Sequence, residues 1–499
     1  MDFMIFLAFF AIVADAATVP PPPNYTDNQA KVLILGGGAS GLQAAKVLQE
    51  NGMDDFLVIE GADYLGGRMR PVQFGGVTIE QGANWAQPRD APVVNMVLNK
   101  GMACHMSNWD SMVILNSTGH DLTLASDPIW EVIATTHDDM YLRAEKIVNE
   151  NLPDMSQRAA MRLAGWFPMT PLEKNIEWFE FDFEWTNRPD ITSLQSTALL
   201  PATTDIYFIT DPRGFIYILD DIIQLLLYDP TYKYHARFKQ VVTSIDQSSP
   251  TEVLVTTSDG TKYTGEYVLV TFSLGVLQNN LVQFIPTLPE WKVQAFSQFN
   301  MGSFTKIFIK FPFKFWGDEE WILHVNERRG YFPTFLNAEA AGLFPSGTNI
   351  LVGFVVDEEA RRIEHQPNSE TKSEAEQVLR NLFGEQNVPD AIDIFISGWE
   401  VNPLTMGAYT NWPVEMSVSA FKQIQSKVDR IFFGGEATDE VYNGYVQGAL
   451  GSGEREALKI LNCISGSPEC TAQYNPATDY ERPCDSIKRQ IWKPRKNKD

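Results

Sequence analysis

A short segment near the start of the chain constrains the fold more than any other part of the sequence. Residues 31–37 (KVLILGG) form an apolar run that suits a strand buried on both faces. Apolar residues then recur at helical spacing from Leu42 to Leu48, and Gly52 is a natural helix C-cap. A second buried strand is expected over residues 55–61 (DFLVIEG). Together these elements predict a strand–helix–strand unit of about 30 residues.

The turn between the first strand and the helix carries the pattern G-x-G-x-x-G at Gly36, Gly38 and Gly41. The first glycine permits the turn, the second lets a pyrophosphate approach the backbone, and the third lets the helix pack on the strand. Phosphates would then lie at a helix N-terminus, whose free N–H groups favour negative charge. Glu60 ends the second strand, where a carboxylate can bind a ribose diol. The pattern predicts dinucleotide binding; the alternative is a tight turn without a ligand.

FAD and NAD share this fingerprint, so residues 60–70 (EGADYLGGRMR) must help to distinguish them. Gly66 and Gly67 allow close backbone approach, and Arg68 after them is a bidentate phosphate donor. Further along, residues 252–272 form two strand-like runs around an Asp–Gly turn. Residues 430–437 (RIFFGGEA) predict another short strand that ends in glycines.

Several ordered motifs resemble the flavin amine oxidase family. The spacing from Glu60 to Arg68 after the glycine pattern matches that family, as do residues 434–457 (GGEATDEVYNGYVQGALGSGEREA). Four more matches follow the family's order: residues 82–85 (GANW), 272–278 (FSLGVLQ), 304–316 (FTKIFIKFPFKFW) and 410–413 (TNWP). The resemblance covers most of residues 31–463 and is nearest to secreted polyamine oxidases of the plant type.

The resemblance implies a Rossmann-like α/β FAD-binding domain interleaved with an α+β substrate-binding domain. The FAD-binding domain would comprise residues 30–97, 231–300 and 412–465; the substrate-binding domain would comprise residues 98–230 and 301–411. The implied cofactor-binding residues are Gly36, Gly38, Gly41, Glu60, Gly67, Arg68, Val242, Trp399 and Glu436. Monoamine oxidases link flavin to a cysteine at the position of Ala408, so the FAD is expected to be non-covalent. A helix starting near Gly444 would point its positive end at the flavin.

Lys306 has two interpretations. It shares one face of a strand with Phe304 and Phe308, so the pattern alone indicates a surface lysine that extends past aromatic rings. The resemblance instead aligns it with the family lysine that holds a water near the flavin. It also aligns Tyr409 and Tyr445 with two rings that flank the substrate amine. Lys306, Tyr409 and Tyr445 are therefore the predicted catalytic residues of a hydride transfer from an amine to flavin, with O2 reduced to H2O2.

The predicted substrate-binding residues are Trp85, Gln87 and Glu184. Glu184 matches an acidic residue that holds polyamines in the plant-type enzymes, but a second acidic position falls on Gln87, next to Arg89. Trp85 stands where L-amino acid oxidases have a carboxylate-binding arginine, which disfavours amino acids. Spermine and spermidine are the expected substrates. Open alternatives are a monoamine or acetylated-polyamine oxidase, an NAD-linked dehydrogenase and a non-catalytic secreted FAD protein.

The charge balance of the sequence indicates which kinds of molecule the protein can bind. Thirty-nine Lys and Arg face 63 Asp and Glu, for a net charge of −24, and such an acidic body repels nucleic acid. Residues 466–499 are a predicted tail with a basic end, which could contact acidic surfaces or be an inert solvated end. The six His residues have no metal-ligand spacing, so no metal is expected.

The N-terminus predicts entry into the secretory pathway. Residues 3–13 are continuously apolar and precede an Ala-x-Ala site, so residues 1–17 are interpreted as a signal peptide rather than a membrane span. The sequons at Asn24 and Asn116 are compatible with a secreted or vacuolar glycoprotein. Four cysteines are too few for a disulfide scaffold, although one disulfide near the C-terminus is plausible, with no pairing readable.

Overall fold

The computed structural model describes residues 28–87, 91–199, 206–232, 235–340, 342–414, 416–417 and 419–475. The predicted signal peptide, the sequon at Asn24, Arg89 and the basic end of the tail lie outside these residues. Within them, no helix has both the length and the apolar character needed to cross a membrane.

The described residues form 21 strands in five sheets. In chain order they are β1 (Gln29–Leu35), β2 (Phe56–Ile59), β3 (Pro71–Phe74), β4 (Val77–Glu80), β5 (Trp85–Ala86), β6 (Cys104–Met106), β7 (Met112–Asn116), β8 (Tyr207–Ile209), β9 (Ala236–Arg237), β10 (Val242–Asp246), β11 (Val253–Thr257), β12 (Lys262–Val270), β13 (Gln283–Ile285), β14 (Asn300–Gly302), β15 (Phe304–Lys310), β16 (Trp321–Val325), β17 (Thr334–Asn337), β18 (Ile350–Val356), β19 (Asp393–Ile396), β20 (Tyr409–Asn411) and β21 (Ile431–Phe433).

The same residues form 14 α-helices. They are α1 (Ala39–Glu50), α2 (Pro92–Asn99), α3 (Thr123–Glu150), α4 (Gln157–Leu163), α5 (Pro171–Glu177), α6 (Phe183–Trp185), α7 (Leu194–Leu199), α8 (Asp220–Tyr228), α9 (Leu274–Gln278), α10 (Glu290–Gln298), α11 (Asp357–His365), α12 (Asn368–Phe383), α13 (Ser419–Gln425) and α14 (Val446–Ile464). A π-helical turn, Trp178–Asp182, joins α5 to α6, and 3₁₀ turns occur at Phe215–Leu219, Glu436–Thr438 and Pro468–Thr471.

The larger sheet contains the predicted strand–helix–strand unit. Its order is β13–β10–β11–β12–β1–β2–β9, and β21 also pairs with β12. Strand β1 runs parallel to both β2 and β12, and its residues 32–35 are fully buried, as a central strand covered on both faces requires. β11 and β12 form an antiparallel hairpin around Gly260, whose φ is +84°. The predicted unit, hairpin and late strand are therefore all confirmed.

Helices α1 and α14 pack side by side against one face of this sheet. Ser40 near the start of α1 and Ser452 in α14 lie 3.0 Å apart through their hydroxyl oxygens. Both hydroxyls accept a hydrogen bond from the N–H of Gly435, at 3.1 and 3.0 Å. This contact joins the glycine turn before α1 to the glycines that follow β21, although the two segments are far apart in sequence.

The second large sheet has the order β19–β15–β18–β17–β16–β7. Side chains along β15 alternate between two cores: Phe304 and Phe308 face an aromatic core, whereas Ile307 and Ile309 face helices α11 and α12. Lys306 shares the face of Phe304 and Phe308, as its spacing predicts. Lys306 therefore extends from an interior strand of this sheet, on the side of the aromatic core.

A continuous helical segment covers that aromatic core. It begins at Thr170, whose side chain and Glu173 form a reciprocal capping box, and it runs through α5, the π-helical turn and α6. It ends at Thr186, which has a φ of +58°. The widened turn brings Glu184 to the wall of the molecule's large cavity.

A disulfide links Cys463, in the last turn of α14, to Cys470. It fits the expectation of one disulfide near the C-terminus and supplies the pairing that the sequence alone left open. Cys104 is a free thiol.

Candidate active site

One cavity of about 520 Å³ is lined both by the glycine turn before α1 and by residues of the aromatic core of the second sheet. Fourteen of the 15 predicted site residues line it. They are Gly36, Gly38, Glu60, Gly67, Arg68, Trp85, Gln87, Glu184, Val242, Lys306, Trp399, Tyr409, Glu436 and Tyr445. The fold thus brings together residues that span almost 410 positions of sequence.

At one end of the cavity, Glu60 organises the glycine turn. Its carboxylate accepts hydrogen bonds from the N–H of Gly37, at 2.6 Å, and of Ala62, at 2.7 Å. Burial raises the pKa of the Glu60 carboxyl, while these backbone donors lower it. The carboxylate therefore sits at the end of β2, beside the glycines, where the sequence analysis places a ribose-binding group.

The first and third glycines of the pattern are required by the backbone. Gly36 has a φ of +112°, which L side chains rarely adopt. A Cβ atom on Gly41 would lie 1.9 Å from the carbonyl oxygen of Gly36, so only glycine lets α1 pack this closely on the turn. Gly41 alone among the predicted site residues does not line the cavity, because it packs under the turn.

Arg68 and Glu436 form a partly buried ion pair on the cavity wall. The Nη1 atom of Arg68 lies 2.9 Å from a carboxylate oxygen of Glu436 and also donates to the carbonyl oxygen of Ala408, at 2.7 Å. The other carboxylate oxygen of Glu436 accepts from the hydroxyl of Thr410, at 2.5 Å, and the N–H of Gly444, at 3.0 Å. Glu436 thus anchors the arginine and the segment that precedes α14.

Helix α14 begins at Val446, two residues after Gly444, with Tyr445 as its N-cap residue. Tyr445, Val446 and Ala449 line the cavity, so the helix directs its N-terminal N–H groups toward it. The partial positive charge of a helix N-terminus stabilises an anionic group placed there.

Lys306 is buried, lines the cavity and donates hydrogen bonds to three acceptors. Its Nζ donates to the carbonyl oxygens of Gly82, at 2.7 Å, and Glu80, at 3.1 Å, and to the side-chain oxygen of Asn84, at 3.2 Å. The ammonium also lies 5.3 Å from the centre of the Trp85 ring. Burial lowers the pKa of Lys306 to about 7, so this amine can gain or lose a proton near neutral pH.

Two tyrosines and one carboxylate form another part of the cavity wall. The hydroxyl of Tyr445 donates to a carboxylate oxygen of Glu184, at 3.1 Å, and the hydroxyl of Tyr409 donates to the main-chain oxygen of Glu184, at 3.2 Å. Burial raises the pKa of Tyr409 well above its ordinary value, and the charge of Glu184 adds to that effect. Tyr409 is therefore a neutral ring, and the nearby carboxylate offers a partner for a cation.

Gln87 lies near the start of α14. Its main-chain oxygen accepts from the side chain of Gln447, at 2.5 Å, and its own side-chain oxygen is buried without a hydrogen-bond partner. Gln87 therefore offers a neutral acceptor to the cavity in place of a negative charge. Trp85 packs edge-on against Phe183 and Phe208 and helps to form the aromatic wall.

Several functional neighbours were not among the sequence predictions. Glu80 and Gly82 contact Lys306 through their carbonyl oxygens, and Asn84, inside the quoted GANW motif, contacts it through its side chain. The hydroxyl of Thr410 donates to the Glu436 carboxylate, and the side-chain amide of Asn443 donates to the main-chain oxygen of Glu436, at 3.5 Å. The motif at residues 82–85 was a signal for Asn84, whereas no local pattern marks Glu80.

The residues at the glycine end fit a dinucleotide. A Cβ atom on Gly38 would meet nothing closer than Gly67, at 4.0 Å, so the second glycine leaves its side of the turn open to the cavity. The buried Glu60 carboxylate offers a partner to a ribose, the start of α1 to a pyrophosphate and the start of α14 to an anionic ring. All three line the same cavity. This fold and site define a dinucleotide-dependent oxidoreductase with a lysine and two tyrosines at its reaction end.

Comparison with known proteins gives the family. The model of the flavin-containing amine oxidoreductases matches residues 39–119 and 195–461. The chain is 36% identical to polyamine oxidase 1 of Zea mays over 90% of this chain and 92% of that protein. It is 35% identical to polyamine oxidase 6 of Oryza sativa subsp. japonica over 92% and 96%, and 36% identical to polyamine oxidase 7 of the same species over 85% and 93%.

The chain belongs to the flavin-containing amine oxidoreductase family. Its cofactor is therefore a flavin, and the dinucleotide fingerprint identifies it as FAD. The sequence-based resemblance, the enzyme class and the cofactor are confirmed, and the NAD-linked alternative is set aside. The individual roles of the 15 site residues stay predictions.

Proposed function

We propose that this protein oxidises polyamines such as spermidine and spermine, with O2 as the electron acceptor and H2O2 as a product. The observation that carries the proposal is the position of the Glu184 carboxylate, hydrogen-bonded to Tyr445 at 3.1 Å in the same cavity as Lys306. A carboxylate at that place pairs with a distal ammonium of a polycation. The relatives from maize and rice, named polyamine oxidases, support the same substrate class.

In this proposal, each residue has a separate task. Tyr409 and Tyr445 hold a neutral amine nitrogen between aromatic faces, which aligns its α-carbon. Lys306 manages protons, because its pKa is lowered to about 7 by burial. Bound FAD supplies the two-electron acceptor, and non-covalent attachment is expected because Ala408 has no nucleophile. Glu60, Arg68 and Glu436 hold the cofactor, and the aromatic wall excludes water.

The substrate assignment is tested by anaerobic reduction of the yellow holoenzyme. Spermine, spermidine, N-acetylspermine and a simple monoamine are added separately, and bleaching of the flavin is followed. We expect bleaching by spermine and spermidine. Bleaching by only the acetylated amine or the monoamine would move the assignment to those substrates. No bleaching by any amine would favour a non-catalytic flavoprotein.

Gln87→Glu provides a matched test of the missing carboxylate. Because the side-chain oxygen of Gln87 is buried and unpartnered, a glutamate there adds one charge with almost no change of shape. We expect the KM for spermine to fall by roughly tenfold, since a partly buried charge pair contributes about 1–2 kcal/mol. The KM for the monoamine should stay the same, because it lacks a distal ammonium.

We also propose that the chain forms two interleaved domains. The strands of the larger sheet come from residues 29–59, 236–285 and 431–433, whereas those of the second large sheet come from residues 112–116 and 304–396. The two sheets also have largely separate cores, which supports the division. Limited proteolysis that releases either sheet as one unbroken segment would contradict it.

Secretion and N-glycosylation complete the proposal. The disulfide Cys463–Cys470 supports an oxidising compartment. Asn116 ends β7 and leads into a turn; its side-chain oxygen accepts from the N–H and hydroxyl of Thr118, and Ser117 and Thr118 are exposed. Full-length protein made in eukaryotic cells should reach the medium without residues 1–17. A glycosidase should lower its mass, and Asn116→Gln should lose the part of that shift that the Asn116 glycan contributes. Retention inside the cell with an intact N-terminus would contradict the proposal.

A further inference from the structure

A residue in contact with Lys306 carries a buried carboxyl group that has no role in the chemistry proposed above. Glu80, the last residue of β4, is 4% exposed, and Lys306 is 3% exposed. The Nζ of Lys306 contacts the main-chain oxygen of Glu80, at 3.1 Å, while the Glu80 carboxyl turns toward the 3₁₀ turn Phe215–Leu219. One of its oxygens accepts the N–H of Phe215, at 2.5 Å, and the other is buried without a hydrogen-bond partner.

An unpartnered buried carboxylate oxygen is costly unless the group is protonated or a positive charge is near. Burial raises the pKa of Glu80 to about 7, and the charge of Lys306 opposes that rise. Burial lowers the pKa of Lys306 to about 7, and the charge of Glu80 opposes that fall. The two groups therefore titrate in the same range, and each one's charge depends on the other.

Other charged groups on the packed elements are engaged elsewhere. Arg213 binds Asp211 on the segment before Phe215, and Arg70 lies over the Tyr64 ring next to β3. Glu364 accepts from Thr305 beside Lys306, and Glu400 accepts from Ser303. Lys310 donates to Thr348, and Asp393, the first residue of β19, is exposed. The Glu80–Lys306 pair is thus electrostatically separate from its surroundings.

We propose that Glu80 is a positioning residue whose buried carboxyl sets the proton affinity of Lys306 through its charge, next to the reaction end of the cavity. When the carboxyl is ionised, its negative charge favours the ammonium form of Lys306; when it is protonated, Lys306 gives up its proton more readily. The inference rests on the proposed role of Lys306 in amine oxidation.

The first test needs no substrate. Infrared spectra of the holoenzyme across pH 5 to 9 report the C=O stretch of protonated buried carboxyl groups. We expect Glu80→Gln to remove one band that titrates near neutral pH, because glutamine keeps an acceptor for Phe215 but cannot titrate. In Lys306→Met the same band should titrate at least about one pH unit higher, since the opposing charge is gone. Asp182→Asn removes the band of a second carboxyl whose pKa burial raises to about 7, which helps to assign the signals.

The second test is the pH profile of anaerobic flavin reduction by one fixed polyamine. In Glu80→Gln the limb of the rate–pH profile that reports the titration of Lys306 should move to lower pH by about one unit. The reason is that the carboxylate no longer stabilises the ammonium. Glu80→Asp keeps the charge and should restore most of the wild-type position. A merely structural role for Glu80 would change rates without moving the limb.

An unchanged infrared band in Lys306→Met together with coincident profiles for Glu80→Gln and wild type would overturn the inference. Failure of the amine assignment alone gives a different pattern. In that case polyamines leave the flavin oxidised, while the reciprocal infrared titration of Glu80 and Lys306 is still observed.

Discussion

At the scale of single residues, Glu184 provides the substrate end of the cavity with two acceptors, one for each tyrosine hydroxyl. Its carboxylate accepts from Tyr445 and its main-chain oxygen accepts from Tyr409, so one residue locates both aromatic rings. The same carboxylate remains a partner for a cation. Its position and its charge can therefore be separated by substitution.

Glu184→Gln keeps an acceptor for the Tyr445 hydroxyl but removes the charge. We expect the KM for spermidine to rise by roughly tenfold with a smaller change in kcat, because pairing with a distal ammonium contributes about 1–2 kcal/mol. Steady-state H2O2 formation measures both constants. A simple monoamine is the control, and an equal loss for both substrates would show that Glu184 acts only by placing the tyrosines.

Gly41→Ala tests the close packing beneath the glycine turn. The new Cβ would lie 1.9 Å from the carbonyl oxygen of Gly36, so α1 must move away from the turn. We expect purified protein with little or no bound flavin, measured by the absorbance ratio of flavin to protein. Gly451→Ala in α14 is the matched control, since its nearest atom is 3.4 Å away and helical alanine stabilises by about 1 kcal/mol. Full flavin content in Gly41→Ala would contradict the packing argument.

At the scale of elements, the π-helical turn that leads to Glu184 rests on a buried ionic network. Arg329 lies 2.7 Å from Asp182 in that turn and 2.9 Å from Glu177 in α5, and both carboxylates are almost fully buried. Glu177 also pairs with Arg158. Two arginines therefore neutralise two carboxylates just before the segment enters the cavity wall.

Arg329→Met leaves Asp182 and Glu177 without one of their cations. We expect the free energy of unfolding to fall by about 3–5 kcal/mol, because breaking a buried pair strands a charge. The loss should be smaller at lower pH, since burial raises the pKa of Asp182 to about 7 and protonation relieves it. Arg188→Met, which breaks exposed pairs, should cost less than about 1 kcal/mol. Equal losses in thermal or denaturant unfolding would argue against a role for burial.

The same scale shows how far sequence could predict this molecule. The unit β1–α1–β2 was predictable because its periodicity and glycines are local, and alternation along β15 placed Lys306 on the correct face. The family motifs also identified 14 residues that line one cavity. In contrast, Glu80 meets Lys306 across 226 positions, and Arg68 meets Glu436 across 368. Such contacts depend on how the two sheets pack, for which no local pattern exists.

At the scale of the whole molecule, the two large sheets meet at the cavity. The glycine turn and Glu60 belong to the larger sheet, and Lys306 belongs to the second one. Glu80 on β4 and the segment 81–84 lie between them, and Trp399 donates to the main-chain oxygen of Gln81, at 3.1 Å. The buried Glu80–Lys306 pair therefore lies where the two large sheets meet, and its titration should affect the stability of the entire fold.

The sign of that effect follows from linkage. Between pH 4.5 and about 7, folded Glu80 holds a proton that the unfolded chain has lost, so its contribution to stability falls as pH rises. Between about 7 and 10.5, unfolded Lys306 holds a proton that the folded chain has lost, so its contribution rises with pH. The pair is therefore least favourable near pH 7. We expect the double variant Glu80→Gln with Lys306→Met to be more stable than wild type by about 1–4 kcal/mol near pH 7. Unfolding midpoints measured from pH 5 to 9 should show this difference peaking near neutrality, and a difference that is flat with pH would contradict a titrating pair.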